Sequence, residues 1–194
     1  MILSNVDIKK ALQNKEIIVE PAPVEGQIYS SALDLRLGNE FKEYNPKLVK
    51  QKGINIEVVY SDYDFKEFAQ AYLVDVPQER DGAIIIKPGV FMLAKTYEKI
   101  TLPLESKIAA RVEGRSSVAR LGLVVHLSAP TIHAGFMGTI TLEIINHGFA
   151  KIKLYPQKDK ICQLIFEQLS SKPESANISQ FQGQTTVMGT QEPS

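Results

Sequence analysis

The chain has 194 residues, with 22 lysines and arginines balanced by 22 aspartates and glutamates, and one cysteine. That length is most simply one domain that buries a core without covalent staples, and the absent net charge argues against broad nucleic-acid binding or attraction to an anionic membrane. The lone Cys162 excludes an intrachain disulfide and a cysteine-based zinc site. The first element is a helix: Ser4 followed by Asp7 has the spacing of a capping box, and Ile8, Ala11 and Leu12 give it an apolar face that ends before Asn14. MILSNVDIKK lacks a signal-peptide core, and Lys87 and Pro88 interrupt the richest apolar region (83–94), so a soluble, cytoplasmic protein is expected.

After Pro21 and Pro23 the pattern changes to period two. Ala32, Asp34, Arg36 and Gly38 alternate with Leu33, Leu35 and Leu37, which predicts a strand with one buried face. Residues 45–81 form a polar excursion, with a strand candidate at 54–60 and a short helix at 65–71. Strand-like runs then recur at 83–86, 90–96, 107–112, 123–127, 139–145, 152–154 and 161–168, separated by glycine, proline, asparagine or charged clusters. Many short strands with one or two short helices predict an all-β barrel or jelly-roll-like sandwich over residues 1–169. The stretch from 170 to 194 is rich in Ser, Gln, Thr, Gly and Pro and is expected to be a flexible flap or tail.

Two runs carry chemistry. RVEGRSSVARLGL (111–123) sets two adjacent hydroxyls between two arginines. Ser116 or Ser117 would cap a helical turn through Val118, Ala119 and Arg120 that ends at Gly122, and the free amides of such a turn face an anion. Arg115 and Arg120 add fixed positive charge, although a solvated, serine-capped turn explains the same residues. In APTIHAGFMGTITLEIINHG (129–148), Ile140, Leu142 and Ile144 share one strand face, so Glu143 stands on the other with Thr139 and Thr141. A carboxylate there, among apolar and hydroxyl neighbours, is either an ordinary solvated glutamate or a partly desolvated proton shuttle. His126, His133 and His147 have no metal-ligand spacing.

Taken together, MILSNVDIKKAL, SALDLRLG (31–38), GRSSVARLGL (114–123), the IHAGFMGTITLE run ending at Glu143, and ICQL (161–164) resemble the dCTP deaminase family of the trimeric dUTPase superfamily. The resemblance implies a dUTPase-like distorted jelly-roll or β-barrel, a homotrimer with sites between subunits, and metal-free hydrolysis of dCTP to dUTP and ammonia. It assigns Glu143 as general base, Ser116 to the water or leaving group, Arg120 to orienting the glutamate, and the backbone of Ala129 to holding the water. Arg115, Ser116, Ser117, Val118, Ala119 and Arg120 match the nucleotide-binding run, and Thr141 and Leu142 the segment that reads the pyrimidine edge. Gln163 and Gln184 match nucleotide-binding glutamines. Mg²⁺ would arrive on the triphosphate and dTTP is a candidate inhibitor. The chain has no H-x-E with P-C-x-x-C, so zinc deaminase chemistry is not expected.

The chain departs from the family pattern in three places. His133 stands where the family usually has an aspartate, which argues against an added pyrophosphatase step, although an imidazole can still bind the sugar hydroxyl. Pro173 and Gln180 stand where the flap usually offers a tyrosine and a lysine to the triphosphate. The rival expectations are a dUTP pyrophosphatase, a bifunctional deaminase and pyrophosphatase, or a non-catalytic nucleotide-binding regulator.

Overall fold

The computed structural model describes residues 1–45, 47–48, 57–177 and 183–189. Helix α1 (Asn5–Gln13) opens with the full capping box: Ser4 accepts from the Asp7 amide, and Asp7 receives the Ser4 amide in return. Ile8 and Ala11 of its inner face are buried. Strands β1 (Ile18–Glu20) and β2 (Leu33–Tyr44) follow, then helix α2 (Phe65–Tyr72), β3 (Leu73–Asp75), β4 (Ile84–Ile86) and β5 (Phe91–Thr101). Next come β6 (Ile108–Gly114), α3 (Ser116–Ala119), β7 (Leu123–Val124), β8 (Thr131–Ile132), β9 (Met137–Asn146), β10 (Ile152–Leu154) and β11 (Lys160–Gln168).

The predominantly β architecture and the N-terminal helix match expectation. One sheet runs β7-β9-β5-β2-β11-β6-β8, with β1 added to β5 and β3 to β2, and β10 and β4 pair separately. Bulges in β2, β5 and β11 shift the register and let the long strands curl. The core lies inside this curl, where Leu33, Leu35, Leu37, Ile100, Leu142, Leu164 and Phe166 are fully buried.

Several details differ from the sequence reading. The strand candidate at 54–60 falls partly outside the described residues, and its remainder carries no strand and enters a 3-10 turn at Tyr60–Asp62. The run at 123–127 is paired only at Leu123–Val124, because β7 meets only the last residues of β9. β1, β3 and β8 were not predicted, since two or three residues are too short to show a period. The start of β2 is buried on both faces: Asp34, and Ala32 just before the strand, are nearly as hidden as the leucines beside them, Asp34 being covered by Arg115 and Lys160.

Candidate active site

A cavity of about 530 Å³ opens along one face of β9 and β5. Alternation in β9 sends Ile140, Leu142 and Ile144 into the core and turns Thr141 and Glu143 outward, as predicted. Leu93 of β5 stands opposite Glu143 in the ladder. Glu143 is half-buried, and its Oε2 accepts the Leu127 amide at 3.3 Å, which fixes the carboxylate beneath the loop leading to Ala129. Ala129, His133, Thr141, Glu143 and Gln184 all line this cavity, so five of the predicted site residues meet in one place. Leu142 points into the core and takes no part in the lining.

The far end of the chain closes one side. The Gln184 carbonyl accepts the Thr139 amide at 2.9 Å, and the Gln184 side-chain amide donates back to the Thr139 carbonyl at 2.8 Å. Gly138, at φ +150°, allows this approach: a Cβ there would lie 2.7 Å from the Gln184 carbonyl oxygen. Beyond it the Val187 amide donates to Glu40, which also pairs with Lys95 at 3.1 Å. In an antiparallel strand, backbone groups of residues two apart face the same edge. The amide and carbonyl of Thr141 therefore face the edge that Gln184 occupies at Thr139. Gln180 lies outside the described residues.

The turn expected to cradle an anion lies elsewhere. Arg115, not a serine, is the N-cap of α3, and its extended backbone places Ser116 and Ser117 inside the turn, so neither hydroxyl caps it as expected. Among the described residues the amides of Ser116 and Ser117 have no acceptor, whereas those of Val118 and Ala119 bond to the Arg115 carbonyl. Ser116, Ser117, Ala119 and Arg120 are exposed, Val118 is half-buried, and none lines the cavity of the same chain. Gly122, at φ +84°, ends the turn as predicted.

Arg115 is held from beneath. Its Nε lies 3.3 Å from Asp34, and its Nη1 donates to the Lys160 carbonyl at 3.2 Å. Lys160 Nζ is 3.6 Å from the other Asp34 oxygen. Asp34 is 1% exposed and neither oxygen has a well-directed hydrogen bond, so the pairing is ionic and loose. Burial pushes its carboxyl up, and Arg115 and Lys160 draw it part of the way back. Gln163 is Asp34's partner across β11 and β2, which brings this predicted residue beside the cluster. Next to it the buried Glu98 accepts from Gln27 at 3.0 Å and from the Arg36 amide and Nε at 2.8 and 2.7 Å. Cys162, fully buried nearby, has its thiol pushed far up by desolvation.

Sequence reasoning missed Asp34, Lys160 and the aromatic lining of the cavity. It also gave little weight to His126, next to Leu127, whose buried Nδ1 has no hydrogen-bond partner among the described residues. Among the described residues no three His, Cys, Asp or Glu side chains gather as a metal site, and no helix is long and apolar enough to cross a membrane.

Residues 2–169 match the family described as dCTP deaminase-like. A Methanosphaera stadtmanae protein named dCTP deaminase, dUMP-forming, is 41% identical over 95% of this chain and 90% of its own length. A Methanothermobacter thermautotrophicus protein of the same name is 40% identical over 89% of this chain and 82% of its own. A Haloarcula marismortui protein named dCTP deaminase is 37% identical over 95% and 91%. Among solved structures, the 2'-deoxycytidine 5'-triphosphate deaminase of Agrobacterium tumefaciens shares the fold with TM-score 0.63 at 19% identity, matching 85% of this chain and 47% of that one. With its curled sheet, its N-terminal helix and a family match spanning almost every described element, this chain belongs to the dCTP deaminase-like family.

Proposed function

We propose that this protein hydrolyses the amino group from the cytosine of dCTP. The observation that carries the reading is Glu143, a half-buried carboxylate in the lining of a cavity that Thr141 shares beside it and that apolar side chains wall elsewhere. Glu143 takes a proton from water, and the hydroxide so formed adds to C4. Glu143 then delivers the proton to the amine, and the C4–N bond breaks to release ammonia. The Ala129 backbone holds the water, and the Thr141 and Leu142 segment reads the pyrimidine edge.

Ser116 and Arg120 complete the site by assisting the leaving group and orienting Glu143. Since neither lines the cavity of its own chain, the reading places them in the cavity of a neighbouring subunit within a homotrimer. Arg115, Ser116 and Ser117, with Val118, Ala119 and Gln163, hold the triphosphate, and Mg²⁺ accompanies it as part of the substrate. Gln184 closes over the bound nucleotide, His133 contacts the sugar, and Gln180 belongs to the same flap.

The product is proposed to be dUTP, because His133 supplies no carboxylate to activate water against the phosphates. A second reading, release of dUMP, is favoured by the names of the relatives at about 40% identity. Pure protein incubated separately with dCTP and dUTP, with ammonia and pyrophosphate both assayed, separates the readings. Ammonia alone from dCTP supports dUTP formation, and pyrophosphate from either substrate supports the dUMP product. Binding of dCTP with neither product would mark a non-catalytic regulator.

A further inference from the structure

The cavity has two chemically different ends. Thr141 and Gln184 give hydrogen-bonding groups on one side of Glu143, and rings fill the other. Phe91 stands two residues beyond Leu93 on the same face of β5, and Tyr44 of β2 stacks on it with ring centroids 5.4 Å apart. The excursion continues this wall. Phe68 of α2 meets Tyr44 edge-on at 6.1 Å and Tyr63 at 5.5 Å, and Tyr63 meets Phe65 at 6.5 Å. Tyr63 and Phe65 both line the cavity.

Cytosine is two-sided in the same way. O2, N3 and the amino group carry all its hydrogen bonding, whereas C5 and C6 carry only hydrogens. With C4 at Glu143 and the polar edge toward Thr141, C5 and C6 face the aromatic wall. The cavity of about 530 Å³ takes the base together with the sugar at His133, within the roughly 300–1,000 Å³ typical of pockets for whole drug-sized ligands. An aromatic lining beside C5 suits an apolar substituent there better than a polar one.

We infer that the wall built by Tyr44, Tyr63, Phe65 and Phe91 accepts a methyl group at C5, so that the protein also deaminates 5-methyl-dCTP. The inference rests on the deaminase reading above. Water adds its hydroxyl to C4, the C4–N bond breaks, and the amine leaves as ammonia with the proton carried by Glu143. The C5 methyl is untouched, so the product is a thymidine nucleotide. Tyr63 and Phe65 of the excursion, on this account, set substrate range.

The test compares ammonia release by the full chain from dCTP and from 5-methyl-dCTP. The expected kcat/KM for 5-methyl-dCTP equals or exceeds that for dCTP, and a value more than tenfold below it overturns the inference while leaving the deaminase reading intact. Absence of ammonia from dCTP itself defeats the deaminase reading instead. Tyr63→Ala and Phe65→Ala test the wall through the ratio of the two kcat/KM values. The expected fall is about tenfold, the lower end of what one methylene is worth in an apolar pocket. Equal loss on both substrates, as a merely structural role would give, rejects the wall. Tyr63 is 39% exposed, so its truncation spares the core even where Phe65→Ala disturbs α2.

Discussion

At the residue scale, Glu143 and Asp34 are two carboxylates with opposite tasks. Glu143 faces a cavity and holds one backbone amide, so Glu143→Gln should fold with an unchanged melting temperature and lose about two to four orders of magnitude in turnover. Ammonia release at the parental rate would remove Glu143 from the chemistry. Asp34 is hidden beneath Arg115, and burial raises its carboxyl above the unfolded value. A raised acid favours the protonated folded state, so its stability contribution is present below the unfolded value, about 3.9, and is lost as pH rises through the folded one. Asp34→Asn should therefore flatten the fall in melting temperature above about pH 4 and be no less stable than the parent at neutral pH. The same variant frees Arg115, so KM for dCTP should rise. A lower melting temperature at pH 7 would show that the buried charge is net stabilising. The period-two pattern made Glu143's outward face legible from sequence alone. Asp34 read as a solvent-facing residue, because its cover comes from Arg115 and Lys160, both distant in sequence.

At the scale of elements, caps and periodic faces were legible and ring contacts were not. The capping box on α1 was readable because it is local, three residues apart, and Ser4→Ala should cost about 1 kcal/mol. Differential scanning calorimetry should register that as a drop of about 2–4 °C in a protein of this size. Helix α2 was also legible, but its partner Tyr44, and Phe91 that stacks on Tyr44, belong to strands on either side of it in sequence, and no local pattern announces them. The cap of α3, expected at Ser116 or Ser117, falls one or two positions earlier, since a hydroxyl beside an arginine looks like a cap until Arg115 is seen anchored to Asp34 and Lys160. At the start of β9, Gly138→Ala would drive a methyl against the Gln184 carbonyl. That variant should release the 183–189 segment, read as faster C-terminal cleavage in limited proteolysis with the sheet intact.

At the scale of the whole molecule, the exposed turn α3 and the cavity at Glu143, proposed above as two halves of one site, are not joined within one chain. If neighbouring subunits join them, two inactive variants should rescue each other. Ser116→Ala and Glu143→Gln, unfolded together and refolded as an equal mixture, should recover about a quarter of parental activity by random assortment in a closed ring. Recovery no greater than the sum of the separate variants would place both residues in a single subunit's site. The motifs marked both halves in the sequence, but not their separation, because the path of β7 between α3 and β9 is set by tertiary pairing. The docked segment at Gln184 also bears on handling. It satisfies both backbone groups of Thr139, so residues 183–189 serve as a detachable edge of the sheet. A preparation nibbled by carboxypeptidase would keep its strands and its heat resistance yet leave a bare peptide group at the cavity mouth. An idle batch therefore calls for an intact-mass measurement before a search for misfolding.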